Sequence, residues 1–342
     1  MKLPADKVHR LRPFYNGRTV CVTGGAGFIG GHLVDALLSL GASIRVLDDL
    51  SNSTLEHLAE LIELEPERVR FLRGSILDDD ALSEALAGAA TVFHLGAVCS
   101  VQRSVDDPQR SFSVNATGTL RVLQAAKRTN SLSGSGVERV VFASSSSPYG
   151  DDPTLPRVET QMPRPLSPYA ASKLSAEHLL SVHARCYGMS TISLRLFNVF
   201  GPRQPSDSPY SGVIAAFARR LMAAEPPVIF GDGLQTRDFT FVSDAVLAFL
   251  LAGASKVPPR GDVVNIGTGR SVTLLELARL MAQAAGVPNI HPILQPERPA
   301  DVRHSLANID LARELLGFEP MNSLEAGLVE LIEWCKQSVP TT

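Results

Sequence analysis

The sequence has few cysteines and no metal-type spacing among them. Cys21, Cys99, Cys186 and Cys335 lie far apart in 342 residues, which excludes a disulfide framework and a cysteine zinc site. They are expected to be reduced thiols of a cytoplasmic protein. An excess of one charge is also missing. Lys and Arg number 32 against 35 Asp and Glu, a net charge of −3. Mixed along the chain, they give no field for nucleic acid or an anionic membrane. No long apolar run occurs: Ala245 to Ala254, the most apolar stretch, is about half the length needed to span a bilayer. The opening segment MKLPADKVHRLRPF has no apolar core, so no secretory leader is expected. The eight histidines form no HxxxH or similar ligand pattern. No metal is expected, and His94 reads as an ordinary strand-end residue. There is no internal repeat.

The composition, 44% hydrophobic and 20% charged, is that of a globular protein long enough for about two domains. Residues 19–25, TVCVTGG, read as a buried strand stopping at glycines. A helix follows in GHLVDALLSLG, apolar at Leu33, Ala36, Leu37 and Leu40 and ending before Gly41. SIRVLDD is the next strand. Strand, glycine turn, helix and strand make one βαβ unit, and the alternation continues through STISLRLFNVFG. The fold class expected is α/β, a Rossmann-type doubly wound parallel sheet with a smaller α/β substrate-binding lobe. The boundaries expected are 1–197 with 233–268 for the dinucleotide domain, and 198–232 with 269–342 for the second lobe. The Pro/Gly/Ser-rich stretch 201–212, GPRQPSDSPYSG, is long enough to suggest a functional loop.

Gly24, Gly27 and Gly30 stand at GxxGxxG spacing between that strand and helix. The first allows the tight turn, the second close approach of backbone to a pyrophosphate, and the third close helix packing. The helix start, Phe28 and Ile29, offers amides and a positive dipole end to the anion. An acid about 20 residues on should hold the ribose hydroxyls. Asp48 is the choice over its neighbour Asp49. It repels a 2′-phosphate, so the cofactor expected is NAD.

Tyr169 and Lys173 are four apart at the start of a helix, in YAASK, and so share one face. A phenol of pKa about 10 is a weak base at neutral pH. A neighbouring ammonium, with the positive charge of NAD, would lower that value. Tyr169 could then take a proton from a sugar hydroxyl while hydride moves to nicotinamide. The strand-end serines 144–147 can reach the same cleft. YxxxK alone is common by chance; the glycine unit and the serine-ended strand give it weight.

The segments TGGAGFIG, HLGA, VNATGT, ASSSSPYG, SPYAASK, LRLFNVFGPRQ, FGDGLQTRDFTFV and DVRHS resemble the extended short-chain dehydrogenase/reductase family, and within it the nucleotide-sugar 4-epimerases, over nearly the whole chain. The resemblance implies Tyr169 as base and Lys173 as its partner and ribose anchor. Ser145 would bond the sugar oxygen, with Ser146 beside it. Ser75, Ile76, Leu95, Ala97 and Asn115 would line the cofactor, though Asn115 could equally be a helix-packing amide. Arg237 would grip the diphosphate, and Arg298 and Asp301 would hold phosphate and ribose. Asn198 would face the sugar or the phosphate, the loop 201–212 with Arg203 and Gly212 would cover the nucleotide, Val213 would join the substrate-binding residues, and Val228 and Phe230 would lie beside uracil. Cys99, Ser100, Ser147 and Ser305 would form sugar walls. Two departures occur. Gly74-Ser75-Ile76 stands where the family commonly has GDI, and Pro148 replaces an aliphatic residue before Tyr149.

The family's dehydratases carry Asp-Glu just before the xYG segment, and its decarboxylases usually Glu at the second position. Here these are Ser146 and Ser147. Oxidation at carbon 4, rotation of the keto sugar and hydride return remain, which is 4-epimerisation of a UDP-hexose. UDP-glucose and UDP-N-acetylglucosamine rank first, and UDP-glucuronate next. A net NAD(P)-dependent sugar-nucleotide reductase or dehydrogenase and a non-catalytic dinucleotide binder are the remaining alternatives. Family dimers pair two long helices, matching 108–129 and 168–187 here, so a homodimer through a four-helix bundle is expected.

Overall fold

The computed structural model describes residues 3–133, 136–205, 212–297 and 302–338. Its centre is a seven-stranded sheet. We number the strands β1 (Thr19–Thr23), β2 (Ser43–Asp48), β3 (Val69–Arg73), β4 (Thr91–His94), β5 (Arg139–Ser145), β6 (Ser190–Leu196) and β7 (Arg260–Ile266). The order across the sheet is β7-β6-β5-β4-β1-β2-β3, and every pairing is parallel. Order reverses between β1 and β4, and at such a switch point the strand ends leave a crevice.

Four helices matter for the site: α1 (Phe28–Ser39), α2 (Gly118–Ser133), α3 (Pro168–Tyr187) and α4 (Val242–Gly253). All twelve residues of α4 are buried. The apolar stretch that is too short for a bilayer is thus a core helix, apolar all round because it is covered all round. Its last carbonyls are taken up by charge and hydroxyl. Arg139 Nη1 donates to Ala252 O and Gly253 O at 3.1 and 2.7 Å, and Tyr15 Oη to Leu250 O at 2.7 Å. No helix among the described residues is long and apolar enough to cross a membrane.

The sheet separates two apolar clusters, one with α1 and α4 and the other with α2 and α3. A third cluster gathers Phe200, Phe217, Phe239, Phe241, Leu277, Met281 and Leu331, away from the sheet. It joins residues expected in the second lobe to Phe239 and Phe241, which lie in the tract 233–268 expected in the dinucleotide domain. The tract 307–318, expected in the second lobe, returns to the sheet instead: Ala307, Ile309, Ala312, Leu316 and Phe318 pack in the α1/α4 cluster. Its apolar spacing fits either core, and only the tertiary fold chooses between them.

Candidate active site

The glycine turn after β1 is shaped by close approach. Gly24 has φ +71°, and a Cβ there would lie 2.6 Å from Gly96 N. A Cβ on Gly30 would lie 2.1 Å from Gly24 O. Side chains are thereby excluded from the mouth of α1, whose N-cap, Gly27, brings no side-chain cap. Phe28 and Ile29 open the helix, in the first turn, where backbone amides have no intrahelical partner. An uncapped helix start in a glycine cradle fits a pyrophosphate. Asp48 ends β2 as expected. Its carboxylate accepts from Ala26 N at 3.0 Å, Leu50 N at 2.9 Å and Ser53 Oγ at 3.0 Å. These bonds fix a negative charge beside the glycine turn, while Asp49 faces solvent. Leu95 and Ala97 follow β4, with Leu95 N bonded to Thr23 O. Ser75 Oγ accepts from Leu77 N at 3.2 Å, so serine serves the turn where an acid is common, and Ile76 packs on Gly118.

Helix α3 is well punctuated. Ser167 Oγ accepts from Ala170 N, Pro168 occupies the first turn, and Gly188 closes the helix with φ +67°. Its buried face includes Tyr169, Ser172, Lys173, Ala176, Glu177 and Leu180, spaced as a helix stripe. Tyr169 and Lys173 therefore meet the end of β5. The Ser145 side chain stands close enough to Tyr169 to favour its phenolate. Ser145 Oγ donates to Ser147 Oγ at 3.0 Å and accepts from Ser147 N at 3.1 Å. Ser146 sits between them, its amide bonded to Leu196 O. Pro148 enters the short 3-10 turn Ser147–Tyr149 at a first-turn position, where its missing N–H costs nothing.

Lys173 departs from the simplest expectation. Its Nζ lies 5.9 Å from the Tyr169 ring centroid and donates to Ala143 O at 2.7 Å. In the protein alone the Tyr169 phenol stands above its ordinary pKa. Burial is the main cause and the Cys99 thiol adds to it, against the lowering influence of Ser145. Burial also pulls Lys173 down to about 8, against the raising influence of Cys99 and Glu177. A phenolate at Tyr169 would therefore need positive charge beyond that of Lys173. The exposed Cys99 thiol stands beside this pair, its Sγ 3.5 Å from Ala97 O.

Other expected residues act at one remove. Asn115 Oδ1 accepts from Val98 N at 2.8 Å, and its Nδ2 donates to Val98 O and Ser172 Oγ at 3.1 and 3.0 Å. It is a packing amide, in a π-turn, that ties the Cys99 loop to α3. Ser100 Oγ caps the helix Val101–Asp106. Arg203 is engaged by Asp35 and His32 on α1 rather than by the Tyr169 group. Asn198 Nδ2 donates to Asp238 O at 3.1 Å. Arg237 Nη1 donates to Thr236 O and Arg303 O, and Ser305 N to Thr236 O at 3.1 Å. Arg237 and the buried Ser305 are thus neighbours across one ladder. Val228 and Phe230 lie on a short strand paired with Ile293–Gln295. Gly212 caps the helix Val213–Met222. Arg298, Asp301 and 206–211 of the expected loop lie outside the described residues. His94 is held between Thr23 Oγ1 at 2.7 Å and Thr119 Oγ1 at 3.0 Å, its pKa pushed down to about 3 by burial and then by Lys173. It is a neutral strand-end residue.

Sequence reasoning passed over Glu177, Arg195 and Asp238. Glu177 pairs Arg195 in the core, and the Asp238 carboxylate accepts from Thr268, Gly269 and Ala307. A charge in an otherwise apolar strand, as in LRLF, was the available signal, because it must find a partner.

This chain is similar to proteins of known activity. Residues 20–267 match the model of the NAD dependent epimerase/dehydratase family. A UDP-glucose 4-epimerase of Mycolicibacterium smegmatis is 39% identical over 92% of this chain and 97% of its own. The structure of a UDP-N-acetylglucosamine 4-epimerase from Methanobrevibacter ruminantium, in complex with UDP-N-acetylmuramic acid, superposes with TM-score 0.87. It is 36% identical, over 94% of this chain and 99% of its own. A Thermotoga maritima UDP-glucose 4-epimerase with UDP-glucose gives TM-score 0.85 and 37% identity, over 93% and 99%. With its parallel sheet, its glycine cradle and its Tyr169–Ser145–Lys173 group, the chain belongs to the NAD-dependent epimerase/dehydratase family.

Proposed function

We propose that the protein is a 4-epimerase of a UDP-hexose, with UDP-glucose/UDP-galactose or UDP-N-acetylglucosamine as substrate. The observation that carries this reading is the serine loop beside Tyr169. Positions 146 and 147 carry hydroxyls and no carboxylate, so elimination of water and decarboxylation lack their acid–base groups. Asp48, Gly24, Gly27 and the start of α1 hold NAD, which when bound supplies the hydride acceptor and donor. Tyr169 takes the proton of the sugar 4-hydroxyl and returns it. Ser145 bonds the same oxygen, and Lys173 contributes positive charge. The keto sugar turns over between the two transfers, and Arg237 keeps hold of the diphosphate. Ser305, small and buried, leaves space for an acetamido group.

The same reading assigns cofactor binding to 1–197 with 233–268 and substrate binding to 198–232 with 269–342, with 307–318 as the seam. It also includes a homodimer in the cytoplasm. UDP-glucuronate is the second reading, favoured by the hydroxyls of Ser145 and Ser147, which suit a carboxylate. Assay of the purified protein on these three UDP-sugars tests the proposal. Interconversion at carbon 4 without accumulation of NADH supports it. NADH rising in step with product would make the protein a dehydrogenase.

A further inference from the structure

Beneath the Tyr169 group lies a buried ion pair that the reaction as written does not use. Glu177 and Arg195 are 2% and 3% exposed. Glu177 Oε1 accepts from Arg195 Nε at 2.9 Å, and Oε2 from Arg195 Nη2 at 2.7 Å. A pair so deeply buried gains little stability over apolar residues of similar volume, so a role in the chemistry beside it is worth testing. Glu177 is four residues beyond Lys173 on the same buried face of α3. Its Oε1 also accepts from Ser144 Oγ at 2.5 Å, next to Ser145. The other end of the pair reaches the serine loop by a second route. The Arg195 guanidinium lies 4.5 Å from the Tyr149 ring centroid, and Tyr149 Oη donates to Asn265 Oδ1 at 2.7 Å.

We propose that Glu177, held by Arg195, is a positioning residue for proton transfer: its charge keeps Lys173 protonated, and its bond to Ser144 sets the end of β5 from which Ser145 meets Tyr169. This rests on the assignment of Tyr169 and Lys173 as the acid–base group. Lys173 is buried, and its Nζ donates to the backbone carbonyl of Ala143. The charged and titratable groups around it are Glu177 on its own helix, Tyr169 one turn earlier, the Cys99 thiol after β4, and neutral His94 on β4. Among the described residues, Glu177 is the carboxylate that raises the pKa of Lys173. Without that charge the ammonium should lose its proton at lower pH, and the phenolate its support.

The experiment is the pH profile of kcat for NAD-saturated enzyme with its UDP-sugar. In Glu177→Gln the basic limb is expected to move at least ~1 pH unit toward acid, with turnover at neutral pH down ~10-fold or more. Because this variant leaves Arg195 buried without its partner, the double variant Glu177→Leu/Arg195→Met is measured alongside. It replaces both charges by apolar volume and should show the same acid-ward shift. An unmoved basic limb in a folded variant overturns the proposal. So does failure of both variants to fold, which would make the pair a requirement of the fold. Tyr169→Phe separates the two layers. If it keeps full turnover, the acid–base assignment itself is wrong; if it is inactive while the Glu177 variants keep the wild-type profile, only the positioning role fails.

Discussion

Lys173 Nζ donates to Ala143 O at 2.7 Å, two residues before Ser145. The helix that carries Tyr169 is thereby tied to the strand that carries Ser145, through the lysine itself. The lysine acts as a buried charge near the phenol rather than as its hydrogen-bond donor.

A pH dependence follows. Burial pulls Lys173 down to about 8, so its charge is present below that value and lost above it. Turnover should fall on the basic side as this charge is lost. The sign for stability is opposite. Between about 8 and 10.5 the unfolded chain holds a proton at this lysine that the folded protein has released, so stability of the cofactor-free protein rises with pH across that window. Lys173→Met should abolish both effects, as read from kcat profiles and urea unfolding at a series of pH values.

Asp48 should select the cofactor. Its carboxylate is fixed by Ala26 N, Leu50 N and Ser53 and cannot swing away from an added phosphate. Like charges ~4 Å apart near a surface repel by roughly 4 kcal/mol, so NAD should activate stripped enzyme at least ~10-fold better than NADP. Equal activation would mean that the end of β2 does not face the ribose.

Ser305 should set the size of the sugar. Its side chain is buried on the ladder beside Arg237. Ser305→Tyr adds a ring, a steric rejection that can exceed the ~1–3 kcal/mol of one methylene. Turnover of UDP-N-acetylglucosamine should collapse while that of UDP-glucose falls much less. Equal loss of both would place the wall elsewhere.

Assembly has a solution test. Phe112, Val182 and Tyr187 are 49%, 49% and 51% exposed along the two helical segments expected to pair. Light scattering at micromolar concentration should give the mass of a dimer, and Val182→Glu should shift it toward monomer. A wild-type monomer would contradict the four-helix interface.

The sequence made legible whatever repeats locally. The βαβ unit and the shared face of Tyr169 and Lys173 follow from periods of two and 3.6, and the glycine spacing and Asp48 from the local strand–turn–helix pattern. Pairings over long separations were not legible. Arg203 turns to Asp35 and His32 on α1, far away in sequence. The tract 307–318 packs on the sheet rather than in the second lobe. Asn115 spends its amide on Val98 and Ser172, which its NxxGT setting does not reveal. Glu177 could have been found from its i+4 spacing to Lys173, but its partner Arg195 lies on strand β6.

Tyr169→Phe tests the account most directly. The ring still packs in its buried place, and only the phenolic hydroxyl is lost. With NAD binding retained, checked by equilibrium titration, 4-epimerase turnover on the preferred UDP-sugar should fall at least ~10²-fold, the scale of general acid–base catalysis. Turnover near the wild-type level, with NAD still bound, would contradict the assignment of Tyr169 as the group that moves the proton.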